Sequence, residues 1–155
     1  MRRAMIGLLG ATALLLATVG TAAAAPARDV SVLGNAEVEL QDPYSVFEFS
    51  VHAHGNGHSG QGVLWLAHRD DERIGWMVAR IDCVRVAGSL GVVTGVVSDA
   101  QDFAVASPGE PIALTVRDDG TKDGVSFASR EEVTRCGKSP VPLHPITSGD
   151  FRVSR

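Results

Sequence analysis

Three histidines lie close together in the sequence and have side chains that can bind metal. His52 and His54 flank one alanine, and His58 follows in a glycine-rich stretch. Side chains alternate between the faces of a β-strand, so we expect His52 and His54 to project from one face. Imidazole is a common ligand of zinc and copper, and His58 can fold back as a third ligand. These residues are therefore a candidate zinc or copper site, but the sequence favours solvated histidines on an outward strand face and no bound cofactor.

The His-x-His pair resembles the metal strand of copper/zinc superoxide dismutase. That family also uses further histidines and an aspartate, whereas His68 and His144 stand in contexts that do not match. The resemblance therefore implies no redox chemistry for this chain.

The acidic turn 118–124 is a second candidate cation site. Asp119 and Asp123 offer carboxylate oxygens, which calcium prefers. If Asp119 takes the first position of an EF-hand loop, Thr121 stands where an acid or amide is required, and Arg130 replaces the final glutamate. Asp-Gly is also typical of hairpin turns. The sequence therefore favours a plain connection between strands, with a calcium loop as the alternative.

No arrangement of residues in the sequence indicates an enzyme. Gly55, Gly57 and Gly60 have the spacing of a dinucleotide-binding loop, but no helical pattern follows them. Ser59 lacks the Gly-x-Ser-x-Gly context of a hydrolase nucleophile. We therefore interpret the chain as a non-enzymatic binding or envelope-associated module, with a small metal-binding protein as the alternative.

The elements that must carry these residues are β-strands, because apolar residues recur at every second position. The segment 74–86 is long enough to bend or to hold two strands. Turn residues separate eight or nine such stretches, which favours one antiparallel β-sandwich or flattened barrel of short strands. The alternating stretches include Ala36 to Leu40, Phe47 to Ala53, Phe103 to Val105, Ile112 to Val116 and Val125 to Phe127.

The N-terminus has the order of a cleaved secretory signal peptide over residues 1–25. Two arginines precede an apolar run and then small residues ending in Ala25. Residues 26–155 follow as one β domain, with a proline-containing tether at 137–149 and a last strand at 150–154. The predicted location is secreted and extracellular, with no membrane attachment after cleavage.

Removing the signal peptide leaves 12 Lys and Arg against 18 Asp and Glu, a formal charge of −6. An acidic protein lacks the basic face that binds nucleic acid, so we expect an extracellular protein or cell-envelope component as partner. The two cysteines, Cys83 and Cys136, are both in the mature part. In an oxidising compartment they are expected to pair, with two buried thiols as the alternative.

Several short segments together resemble a group of uncharacterised, small, secreted bacterial β-domain proteins that are common in actinobacteria. The resemblance implies an exported all-β fold and no particular activity. It is carried by Phe47-Glu48-Phe49, Ile81-Asp82-Cys83-Val84-Arg85-Val86-Ala87-Gly88, Val92-Val93-Thr94-Gly95, Val116-Arg117-Asp118-Asp119-Gly120 and Gly149-Asp150-Phe151-Arg152-Val153.

Overall fold

The computed structural model describes residues 29–41 and 44–155. The predicted signal peptide, residues 1–25, lies outside them. No helix in the described part of the chain is long and apolar enough to cross a membrane. The described elements are β1 (Val30–Gln41), β2 (Tyr44–Gly55), β3 (Gly60–Arg69), β4 (Ile74–Ala87), β5 (Leu90–Gln101), β6 (Pro111–Arg117), β7 (Gly124–Ser129), a 3-10 turn (Arg130–Glu132), β8 (His144–Pro145) and β9 (Ser148–Ser154).

All nine strands belong to one sheet in the order β8-β7-β6-β5-β4-β3-β2-β1-β9. Neighbouring strands are antiparallel, and from β1 to β7 each strand pairs with the next along the chain. The sheet curls into a half-barrel. The predicted antiparallel all-β fold is therefore confirmed, and the single curled sheet corresponds to the flattened barrel among the two alternatives.

Strands β1 to β5 contain 10 to 14 residues each and are longer than the sequence pattern predicted. The apolar segment 74–86 lies within one strand, β4. Its pairing with β5 is irregular between Val78 and Ala79 and between Ile81 and Cys83. Such irregularities bend a strand and increase its twist. The strand can therefore follow the curl of the sheet without ending.

We name the two ends of the half-barrel by their turns: the turn 70–73 marks the upper end and the turn 118–123 the lower end. The concave face is tightly filled at the lower end. A Cβ added at Gly91 would lie 2.6 Å from Cγ2 of Val32 and 3.1 Å from Cγ2 of Val153. Val32 is in β1, four strands from β5 in the sheet. The contact is possible only because the sheet curls round on itself.

Residues 133–143, which we call the strap, cross the convex face of the sheet. The strap is fixed by a disulfide between Cys136 and Cys83 of β4, whose Cα atoms are 5.4 Å apart. The backbone N–H of Cys136 also donates to the hydroxyl of Thr94 on β5, at 3.1 Å. The predicted disulfide is therefore confirmed, and it ties the chain after β7 to the middle of the sheet.

The two outer strands of the sheet are joined by the segment predicted as a tether. Residues 137–149 contain β8, which pairs with β7, and the first residues of β9, which pairs with β1. Between them, the backbone N–H of Ile146 donates to the Asp123 carbonyl at 3.2 Å, and that of Thr147 to the Glu37 carbonyl at 2.7 Å. One stretch of chain thus connects both edges of the sheet.

Candidate binding cleft

A cleft with a volume of about 1210 Å³ opens at the upper end of the half-barrel. Strands β1 and β2 form one wall and β7 forms the other, while the loop after β5 and the 3-10 turn form the rim. The lining residues are Val38, Leu40, Phe47, Phe49, Ala104, Val105, Glu110, Pro111, Val125, Ser126, Phe127, Ala128, Ser129, Arg130, Glu131, Glu132, Val133, Val141 and His144.

The walls are apolar because the inward positions of three strands meet there. Leu40, Phe47 and Phe127 are half-buried and pack against the hydrophobic core, whereas Val38 and Phe49 are buried. At the lower end β9 lies beside β1 and contributes the buried Phe151 to the same core, but β9 pairs with β1 only as far as Glu37. The apolar row of β1 therefore continues beyond the end of β9 and lines a concave site of the kind that binds apolar groups.

One ion pair organises the charged rim. The guanidinium Nε of Arg130 lies 3.1 Å from Oε1 of Glu110, and Oε2 of Glu110 accepts the backbone N–H of Ser107 at 2.8 Å. The backbone hydrogen bond and, after it, the Arg130 guanidinium lower the pKa of the Glu110 carboxyl below its ordinary value. Arg130 is exposed and Glu110 is half-buried, and each is the other's charged partner at the rim.

Val105 is an exposed apolar residue of the rim. It is 46% exposed, and its carbonyl accepts a hydrogen bond from the Ser129 hydroxyl. The sequence pattern predicted a strand at Phe103 and Val105, but the structure places both in the loop between β5 and β6. That prediction is wrong because Phe103 is buried as an anchor of the loop, while Val105 projects at the cleft.

The predicted metal ligands His52 and His54 are exposed on the convex face of β2, and their ring centroids are 5.2 Å apart. Opposite them on β3 lie Val63 and Gln61. His58 lies in the loop 56–59, with its carbonyl 3.5 Å from Sγ of Cys136. In the described ranges, no three His, Cys, Asp or Glu side chains are grouped to hold a metal ion. His52 and His54 therefore lie side by side on the strand. Zinc or copper binding at these histidines stays a prediction.

The acidic turn has a clear structural role at the lower end. Asp123 is buried, and its two carboxylate oxygens accept the backbone N–H groups of Asp119 at 2.8 Å and Phe151 at 3.0 Å. Asp118 accepts the backbone N–H of Val153 at 2.9 Å. Asp119 is exposed. The carboxylate of Asp123 is thus already used by protein donors, and the calcium loop stays a prediction.

The sequence pattern does not indicate the cleft. It places Phe47 and Phe49 on the core side of their strand and Val125 and Phe127 in a later alternating strand, without showing that the two strands face each other. The only signal available was the length of the apolar alternation in β1, which extends from Val30 to Leu40, beyond the partner strand.

The fold and the site together define a small all-β protein with an apolar cleft at the open end of a curled sheet. No protein-family model, curated protein or solved structure matches the chain. The disulfide indicates an oxidising, extracellular environment.

Proposed function

We propose that this chain is a non-enzymatic, exported binding module that holds an apolar ligand in the cleft. The supporting observation is the row of inward apolar side chains that continues past β9 and lines about 1210 Å³ of concave space. Concave apolar sites with a few polar groups at the rim are the usual form of ligand pockets. Export is supported by the signal-peptide pattern of residues 1–25 and by the disulfide.

A binding role suits the chemistry of the rim better than catalysis does. The carboxylate of Glu110 and the guanidinium of Arg130, both at the rim, form an ion pair at 3.1 Å. A catalytic site instead needs a nucleophile with a base in hydrogen-bonding reach. The acidic balance of the mature chain also supports a partner other than nucleic acid.

The test uses a fluorescent apolar probe, anilinonaphthalene sulfonate, with the mature, oxidised protein. Val105 lines the cleft and is 46% exposed, whereas Val63 lies on the convex face and is 47% exposed. The two valines are therefore a matched pair. We expect Val105→Glu to weaken probe binding at least tenfold and Val63→Glu to leave it unchanged.

Each of the other outcomes contradicts the proposal. No saturable probe binding by the unmodified protein would show that the cleft does not hold apolar ligands. Binding that Val63→Glu abolishes and Val105→Glu preserves would place the site on the convex face, near Trp65 and Trp76. Circular dichroism of both variants checks that each retains the fold.

A further inference from the structure

The curl of the sheet brings β1 and β7 to the two sides of a gap. The lower half of this gap is one strand wide. The consecutive residues Ile146 and Thr147 donate their backbone N–H groups to opposite sides, to the carbonyls of Asp123 at 3.2 Å and Glu37 at 2.7 Å. The chain at these two residues, between β8 and β9, therefore reaches both edges at once. We call the continuation of this gap toward the upper end, between residues 38–41 and 126–129, the seam.

In the described residues, the strand segments on both sides of the seam lack a pairing strand on the side that faces the seam. Within the described part of the chain, β1 pairs with β9 only over Ser31–Glu37, and β7 pairs with β8 only at Gly124 and Val125. Backbone groups point alternately to the two sides of a strand. The Glu37 carbonyl faces Thr147, so the backbone groups of Glu39, two residues further along β1, face the seam. The Asp123 carbonyl faces Ile146, and the same alternation along β7 places the backbone groups of Phe127 at the seam.

The side chains around the seam also alternate in character. On the concave side lie Val38, Leu40 and Phe127, which are part of the apolar cleft wall. On the convex side β1 and β2 carry Glu37, Glu39 and Glu48. A strand placed in the seam would therefore direct every second side chain into an apolar cleft and the others toward carboxylates.

The convex side of the seam carries an excess of negative charge. Arg69 lies 3.9 Å from Glu37 and 3.7 Å from Glu48, so one cation is shared by two carboxylates. Glu39 is exposed, and Glu131 and Glu132 on the cleft rim are exposed as well. The charges thus favour basic side chains in an occupant of the seam.

The geometry points to an extended peptide as the ligand: it would bind in the seam as an added strand, with apolar and basic residues in alternation. This inference rests on the proposed binding function of the cleft. Addition of a strand to an exposed sheet edge is an established mode of peptide recognition, in which main-chain hydrogen bonds supply affinity and alternate side chains supply specificity. Here both edges of the added strand would be paired.

The experiment titrates labelled acetyl-Lys-Val-Lys-Val-Lys-Val-amide into the mature, oxidised protein and follows fluorescence anisotropy. Two matched peptides carry N-methyl groups either on all valines or on all lysines, which removes the N–H donors toward one edge or the other. We expect the parent peptide to bind and to displace anilinonaphthalene sulfonate, and each methylated peptide to bind at least tenfold more weakly.

The charge argument has its own matched pair of variants. Glu39→Lys should weaken binding of the lysine-valine peptide at least threefold and improve binding of the corresponding glutamate-valine peptide. Asp29→Lys makes the same change of charge just before the other end of β1, and it should leave both affinities unchanged. Equal effects of the two variants would contradict the placement of the basic side chains beside Glu39.

The outcomes separate the inference from the proposed function. If the apolar probe binds in the cleft but no peptide displaces it, or if methylated and parent peptides bind equally, the peptide inference is wrong and the apolar binding function stands. If neither probe nor peptide binds, both are wrong. A concentration-dependent dimer that excludes the peptide would assign the seam to a second copy of the chain and overturn the inference.

Discussion

The carboxylate of Asp123 is almost fully buried and accepts backbone N–H groups from both Asp119 and Phe151. In the described residues β9 pairs with β1 alone, so the N–H groups on its other side need acceptors from elsewhere. Asp123 and Asp118 supply them for Phe151 and Val153. These two carboxylates therefore supply the hydrogen-bond acceptors that a neighbouring strand supplies elsewhere in the sheet.

The Asp123→Asn variant tests this role. An asparagine amide would place a donor where a second acceptor is required, so we expect the free energy of unfolding to fall by about 1–3 kcal/mol. Asp119→Asn, in the same turn but exposed, is the control and should change stability by less than about 0.5 kcal/mol. Urea unfolding measures both. Equal losses in the two variants would contradict the role.

Glu110 makes the stability depend on pH. Its carboxyl has a lowered pKa in the folded protein, caused first by the Ser107 backbone and then by Arg130. Its contribution is therefore present above the pKa of the unfolded chain and is lost as the pH falls through the lower, folded value. We expect Glu110→Gln to lose less stability than the unmodified protein between neutral pH and about pH 3. Glu131→Gln is the control, and an unfolding series across this pH range is the measurement.

The arrangement of His52 and His54 leads to a prediction about how firmly the protein holds zinc. Two imidazoles supply half of the ligands that a structural zinc site uses, so we expect added zinc to be removed by dialysis. Elemental analysis of the dialysed protein measures this. Stoichiometric zinc or copper that is retained, and that the His52→Ala, His54→Ala double variant loses, would contradict this and support the metal-binding alternative.

At the scale of elements, the strap shows how the convex face of the sheet is covered. Thr94 and Thr115 are buried on that face, and their hydroxyls accept the backbone N–H groups of Cys136 and Ser139. Thr94 also donates to a carboxylate oxygen of Asp82 at 2.7 Å. Polar residues in the middle of β5 and β6 are thus hydrogen-bonded to the strap.

Loss of the disulfide should lower the stability of the whole domain. Cys83 and Cys136 are 53 positions apart, and closing a loop of that length stabilises a protein by about 4 kcal/mol on the chain-entropy account. We expect Cys83→Ala, Cys136→Ala to lower the free energy of unfolding by about this amount. Dithiothreitol should bring the unmodified protein to the same level and leave the variant unaffected. A reductant effect on the variant would show that the loss has another cause.

The sequence predicted the element type well where one face of a strand is buried along its length. In β2, Phe49 and Val51 are buried while His52 and His54 are exposed, as the alternation indicated. It was misleading at 103–105, because a loop that anchors one apolar residue and exposes another has the same short pattern as a strand. The two residues of β8 carry no pattern of their own, since their pairing depends on the position of β7.

At the scale of the whole molecule, the lower end is closed by packing around Gly91. An alanine there would place its Cβ 2.6 Å from Cγ2 of Val32. We expect Gly91→Ala to cost about 1–3 kcal/mol through overpacking. Val32→Ala removes the opposing methyl groups, so the double variant should lose less than the sum of the single losses. Additive losses, measured by urea unfolding, would contradict the contact across the curl.

The cleft is a property of the whole molecule, which is why it was not predicted. Its walls belong to β1 and β7, and Leu40 and Phe127 are 87 positions apart in the sequence. Hydrophobic periodicity identifies which side of each strand is apolar, but it contains no information on which strands meet across a curled sheet. Nor does it show that β9 ends its pairing at Glu37 and leaves the rest of β1 without cover.

The position of β9 beside β1 also determines the order in which the fold can be completed. Ser31 and Ser154, whose hydroxyls are 2.6 Å apart, are separated by 123 positions. A ribosome or a translocation channel delivers β1 to β7 first, and these strands can form hairpins with their neighbours as they emerge. The sheet can close only when β9 arrives. Because long-range pairing slows folding, the interval before this arrival is when β1 is most exposed to association with other chains.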